Sequence, residues 1–159
     1  INNDLLLLEY YSTLGDLHNE TKEYNKSDNY FEKALKLDSN NAIVLNNYSY
    51  YLSLRREKLE LAKKMSYRAN VLEPNNGTYQ DTYAWVLYQQ QNYQEAEKWI
   101  KKAIENDEQK SAVLIEHYGD ILFRLGDIKS AVDQWRKALI LAPDSDILQQ
   151  KIKDKKTYE

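Results

Sequence analysis

The sequence predicts an all-α protein assembled as a stack of antiparallel helix pairs. Three observations point there. Ala62, Ala96 and Ala131 each precede a second alanine by seven residues, at Ala69, Ala103 and Ala138. The pattern returns after about 35 residues, the period of a helical repeat array. Glycine and proline number only four and two in 159 residues, which allows short turns but no long loop or low-complexity tract.

Aligned on the small residues, the chain divides into four units, about 8–41, 42–76, 77–110 and 112–145. The run Leu5-Leu6-Leu7-Leu8, expected to form a buried helix face, leads into the first, which carries Gly15, Ser27 and Ala34 as its small residues. In the second, Ser49, Ala62 and Ala69 follow the same order and Pro74 stops the closing helix. This unit is one residue longer around Arg55-Arg56-Glu57-Lys58, which predicts a widened turn. The third has Tyr83 and Leu87, a break at Gln91-Asn92, then Tyr93, Ala96, Trp99, Ile100 and Ala103. Asn92 and Glu95 have the spacing of a capping box. In the fourth, Ile115, Tyr118, Leu122 and Leu125 recur at helical spacing, Gly126-Asp127 supplies a C-cap and an N-cap, and Ile128, Ala131, Val132, Trp135 and Ala138 resume the pattern up to Pro143.

Small residues have a mechanical role here: where helices cross, a large side chain would hold the axes apart. Gly15, Ser49, Ala84 and Gly119 occupy one crossing, and Phe31, Ile100 and Trp135 are the bulky counterparts that fill the gaps. A glycine inside a helix costs about 1 kcal/mol relative to alanine, so Gly15 and Gly119 imply close packing. Tyr83, Tyr93, Trp99, Tyr118 and Trp135 are expected in the core. A last helix, about 145–157, carries Ile147, Leu148 and Ile152 on one face and lysines elsewhere, as a polar-backed cap requires.

Composition removes several function classes. The net charge of −3 lacks the basic face that nucleic acid or anionic lipid would need. No cysteine is present, so disulfides, thiolate metal sites and cysteine nucleophiles are excluded, while the compartment stays open. The leucine run is far shorter than the roughly 20 residues that span a bilayer, so direct membrane insertion is not expected. An opening Ile1 in place of methionine suggests a fragment or processed form.

The alanine, aromatic and proline spacing resembles the tetratricopeptide repeat over roughly residues 8 to 145. The fourth unit matches most fully, through Gly119, Ala131, Trp135, Ala138 and Pro143. Ser27 and Ser39 in the first unit, and Glu108 in the third, depart from the family's alanine and proline. The resemblance implies a right-handed superhelical solenoid with the first helix of each repeat on its concave face. Pentatricopeptide repeats share the period but bind RNA, which the acidic composition opposes.

On that resemblance, the concave positions include Asp16 in the first unit, Asn46, Tyr50 and Leu54 in the second, Asp81, Trp85, Tyr88 and Gln89 in the third, and Glu116, Asp120, Phe123 and Arg124 in the fourth. Tyr50, Trp85, Tyr88 and Phe123 would form an aromatic strip bordered by carboxylates. Such a groove favours an apolar or aromatic segment carrying lysine or arginine. The basic clamp with which some family members hold a chaperone's C-terminal carboxylate is missing: Ser12, Asp16, Asn47, Thr78 and Thr82 stand at its positions, and only Asn47 fits.

Catalysis is not expected. His18 and His117 are the only histidines and lie on different repeats, so no triad or metal site can converge on them, and no phosphate-cradling glycine loop is present. No cofactor is implied. The expected function is a non-enzymatic scaffold binding a protein or peptide in the concave groove. The alternative is the C-terminal segment of a longer array, self-associating or packing on preceding repeats through its N-terminal apolar end. Its Asn, Lys and Tyr content suggests a bacterial source, and analogy favours the cell envelope over the cytoplasm.

Overall fold

A computed structural model describes residues 3–158, so Ile1 and any reading placed on it lie outside the described residues. Every element among the described residues is helical apart from turns. The chain divides after Pro74 into two compact units. The first holds α1 (Asn3–Glu20), α2 (Tyr24–Leu37), α3 (Ala42–Arg55) and α4 (Leu59–Leu72). The second holds α5 (Gly77–Gln89), α6 (Tyr93–Glu105), α7 (Ala112–Arg124), α8 (Ile128–Leu141) and α9 (Asp146–Asp154).

In the first unit α1 packs on α2 and α3 on α4, and α3 also lies against the first pair. Gly15 is where α1 and α2 cross: a Cβ there would stand 2.8 Å from the ring of Phe31. The ring is fully buried and stacks on Tyr48 at 5.3 Å. Ser27 replaces the family's alanine at no loss, because its buried hydroxyl donates to the Gly15 carbonyl at 2.7 Å. A second anchor is ionic. Arg55 donates to Asp28 at 2.6 Å, with Lys58 on the other carboxylate oxygen at 3.2 Å and the Tyr24 ring 4.7 Å from the guanidinium carbon.

The second unit follows the same plan with larger parts. A Cβ on Gly119 would lie 2.5 Å from the Trp135 indole, which is fully buried among Leu122, Ala131, Val132, Ala138 and Leu148. Gly77 brings the start of α5 against the end of α6, 2.8 Å from the Ala103 carbonyl by the same measure. α9 closes this unit against α8, capped by Ser145, whose hydroxyl accepts from the Leu148 N–H at 3.3 Å.

Helix ends obey local chemistry. Glu73 and Ala142 stand before the two prolines with ψ of 79° and 69°, outside the helical region, and end α4 and α8. Gly126 adopts φ of +91° and Asp127 caps α8 by accepting from the Ser130 N–H.

Four expectations need correction. The insertion in the second repeat does not widen its turn, since three residues separate α3 from α4 as they do α5 from α6. α3 instead runs one residue further, and Arg56 and Lys58 both take left-handed conformations to reverse the chain. Asn92 makes no side-chain capping bond, and Glu95 pairs with Lys98 at 2.9 Å. Tyr93, Trp99 and Tyr118 are only half-buried, the latter two with Lys102 and Lys101 lying over their rings. Finally, Leu8 is buried while Leu5, Leu6 and Leu7 are exposed. Four consecutive residues point about 100° apart around a helix, so packing on one side cannot bury them all.

Candidate functional site

The side chains assigned to a partner-facing strip sit on α1, α3, α5 and α7, and in each unit the next first-position helix reaches back to them. In the first unit, the Asn47 amide on α3 donates to the Asp16 carboxylate on α1 at 3.4 Å, and the Tyr51 hydroxyl donates to it at 3.0 Å. In the second, His117 Nδ1 on α7 lies 2.7 Å from Asp81 on α5. Lys151 on α9 donates to Glu116 at 2.6 Å and to both oxygens of Asp120 at 2.9 and 2.8 Å. The Trp135 N–H adds a bond to Asp120 at 2.9 Å.

Asn47 on α3, His117 on α7 and Lys151 on α9 hold equivalent places on their helices, the place that Thr82 takes on α5, so the contacts within each unit are of one kind. Each donor lies 31 to 36 residues after its acceptor. That spacing is present in the sequence, but it spans a whole repeat, so no single helix displays it.

Electrostatics follow from burial. Burial raises Asp16 above the usual carboxylate range, against the hydrogen bonds from Tyr51 and Asn47. Asp120 is raised for the same reason, against the pull of Lys151. Burial by itself would lower His117, but the charge and hydrogen bond of Asp81, reinforced by Asp120 and Glu116, hold its pKa above the ordinary imidazole value.

The aromatic positions differ in access. Trp85 is sandwiched, its ring 4.4 Å from Tyr88 and 3.9 Å from His117, both stacked. Tyr88 is only 2% exposed, edge-on to Tyr93, and its hydroxyl accepts from Arg124 Nε at 3.2 Å. Little surface is left on either for a partner. Asn46 is buried as well. Tyr50 and Phe123 remain half-exposed, Arg124 is exposed, and Leu54, one turn after Tyr50, is an exposed leucine. Both histidines are occupied, for His18 stacks on Tyr30 at 5.3 Å and meets Glu23 at 2.6 Å. Among the described residues no group of three His, Cys, Asp or Glu is placed to hold a metal ion, and no helix is long and apolar enough to cross a membrane.

A model of the tetratricopeptide repeat matches residues 8–41 and 79–110, a stretch from each unit. Both stretches are tetratricopeptide repeats. A TPR repeat-containing protein of Pseudomonas aeruginosa is 28% identical over 102 residues, 64% of this chain. The chain spans only 17% of the length of that relative. Among solved structures, that of Pseudomonas aeruginosa pilF superposes with a TM-score of 0.83 at 18% identity, covering 97% of this chain and 69% of the other. MamA superposes at 0.73 and 17% identity over 94% of this chain and 80% of its own, and MamA of Desulfovibrio magneticus at 0.73 and 19% over 87% and 77%. At these identities the structures establish the all-α tetratricopeptide fold alone. Tetratricopeptide-repeat proteins are in general non-enzymatic scaffolds that bind proteins or peptides, and a bacterial relative accords with the composition.

Proposed function

We propose that this chain is a non-enzymatic module that binds a peptide or partner helix on the first-helix faces of its repeats, through apolar and aromatic contacts. The observation that carries this is the surface left over once those contacts are formed: Tyr50 and Leu54 on α3, and Phe123 and Arg124 on α7. Aromatic and arginine side chains dominate interface energies when a partner desolvates them. Preference for a basic partner rests on Asp16, whose donors Asn47 and Tyr51 are neutral, because Asp81 already faces His117 and Glu116 and Asp120 already hold Lys151.

The test is affinity capture from a bacterial extract with wild type, with a Tyr50→Ala, Leu54→Ser variant and with a Phe123→Ala variant, each checked by circular dichroism. A partner lost from either folded variant supports the reading. A partner captured equally by all three moves binding to another face. A structural alternative, packing of α1 on further repeats or on a second copy, draws on the exposure of Leu5, Leu6 and Tyr10. A concentration-dependent mass in light scattering would favour it.

A further inference from the structure

Asn76 is the only asparagine in the chain that precedes a glycine. A backbone nitrogen can attack the side-chain amide of the asparagine before it, and a glycine at the attacking position has no Cβ to hinder the approach. Asn76 and Gly77 sit where α5 begins, in an open cleft of about 290 Å³ that the turn after α6 completes through Asn106, Asp107 and Glu108. Asn75 and Thr78 beside them are exposed, so water reaches the pair. Gly77 is the first residue of α5, and its N–H is one of those a helix leaves without an internal acceptor.

The fold holds this pair shut. The Asn76 side-chain oxygen accepts from the Tyr79 N–H at 3.2 Å, and a ψ of 107° turns the Gly77 nitrogen away from the carbon it would attack. Ring closure requires ψ to swing to large negative values, which takes Gly77 out of its place. That place is tight: a Cβ on Gly77 would stand 2.8 Å from the Ala103 carbonyl oxygen and 3.1 Å from the carbonyl of Asn106. The Asn106 amide adds a tie, donating to the Gln80 side chain at 3.0 Å, about one turn into α5. Opening of the first turn of α5 therefore precedes any chemistry at Asn76.

We propose that Asn76 is a deamidation site gated by the first turn of α5. Once that turn opens, the Gly77 nitrogen gives its proton to solvent and bonds to the side-chain carbonyl carbon of Asn76. The bond from that carbon to the amide nitrogen breaks, and the nitrogen takes up a proton and leaves as ammonia. Water then adds to either carbonyl of the succinimide and breaks one of its two bonds to nitrogen, giving aspartate or isoaspartate. Nothing is oxidised or reduced. Aspartate keeps an acceptor at the cap. Isoaspartate routes the main chain through the side chain and lengthens it by a methylene, so the cap and the seat of Gly77 against Ala103 are not both restored. Asp81, Trp85 and Tyr88 lie on the same helix, so isoaspartate loosens the second unit whatever its first-helix face binds.

The test is peptide mapping by mass spectrometry of the full chain held at mildly alkaline pH, in buffer and in urea, beside a synthetic peptide spanning residues 73–79. In buffer Asn76 should convert about tenfold or more slowly than in the peptide, and urea should remove the difference. Asn106→Ala, which cuts the tie to Gln80, should speed conversion in buffer. An equal rate in buffer and in the peptide, no change in Asn106→Ala, or an intact Asn76 in urea overturns the proposal. Deamidated protein should also melt earlier, by tryptophan fluorescence, than Asn76→Asp, which has the same charge and an unbroken main chain. Equal melting of the two overturns the consequence assigned to isoaspartate.

Discussion

The two units use one helical plan but differ in how their buried charges and outer faces are closed. In the first, Asp28 has two cationic partners, Arg55 and Lys58, and the outer side of α1 remains open. In the second, one lysine serves two acids, and α9 supplies it: Lys151 is 4% exposed, bridges Glu116 and Asp120, and lies 5.9 Å from the Trp135 ring centre. The difference teaches that a terminal helix can both cap a repeat and neutralise the carboxylates of the helix before it. An acidic first-helix face is therefore not by itself an electrostatic lure. Asp16, held by neutral donors, is the acid on that face that retains partial exposure without a cation bound to it in the way Lys151 binds Asp120.

The largest expected effect comes from breaking the bridge in the second unit. Lys151→Met leaves Asp120 buried without its cation and should cost that unit about 3–5 kcal/mol. All three tryptophans, Trp85, Trp99 and Trp135, lie in the second unit, so urea titration followed by tryptophan fluorescence reads it selectively. Adding Asp120→Asn should recover much of the loss, because removing both charges is far less costly than stranding one. Arg55→Met in the first unit should cost less than Lys151→Met, since Asp28 keeps Lys58. Circular dichroism, which sees both units, provides that comparison, and an equal loss would contradict the contrast drawn between the two charge arrangements.

Next in size is the crossing. Gly119→Ala forces a methyl group to 2.5 Å from Trp135 and should destabilise the second unit by about 1–3 kcal/mol. Gly15→Ala meets the Phe31 ring at 2.8 Å and should act in the same direction on the first. A neutral result at either site would mean that the aromatic ring can withdraw.

Protonation distinguishes the units more gently. The pKa of His117 is raised in the folded state, so its contribution is fully present below the unfolded value of about 6.5 and is lost as pH rises through the folded value. The second unit should lose stability over that range on the alkaline side of 6.5, and His117→Gln should flatten the slope. Acids facing His117 are Asp81, Asp120 and Glu116. Urea midpoints at several pH values, read by fluorescence, check this; an unchanged slope in the variant would assign the pH dependence to other groups.

The smallest expected effect lies in the turns. Gly126→Ala should cost about 1 kcal/mol, because the backbone sits at φ of +91° although no atom obstructs a Cβ. Gln91→Gly, at φ of 62° in the equivalent turn, should instead stabilise by a few tenths of a kcal/mol to about 1 kcal/mol. Thermal melts of the two variants give the comparison.

The sequence by itself determined the all-α repeat fold, the crossings at Gly15 and Gly119 with their bulky partners Phe31 and Trp135, and the helix ends at Pro74, Pro143 and Gly126-Asp127. These are legible because each follows from local backbone chemistry or from a size match repeated at a fixed period. Tertiary structure alone decided which side chains on the first helices stay available. Trp85 and Tyr88 have the same composition signal as Tyr50 and Phe123, yet their faces are occupied by His117, by each other and by Tyr93. Whether a carboxylate attracts a partner or satisfies a neighbour depends on a donor about one repeat later in the chain, and only the packing of successive helices brings the two within hydrogen-bonding distance. The same applies to Tyr10 and Leu17 against Leu114 and Ile121: apolar residues at identical register, buried on α7 where α5 and α6 pack against it and exposed on α1.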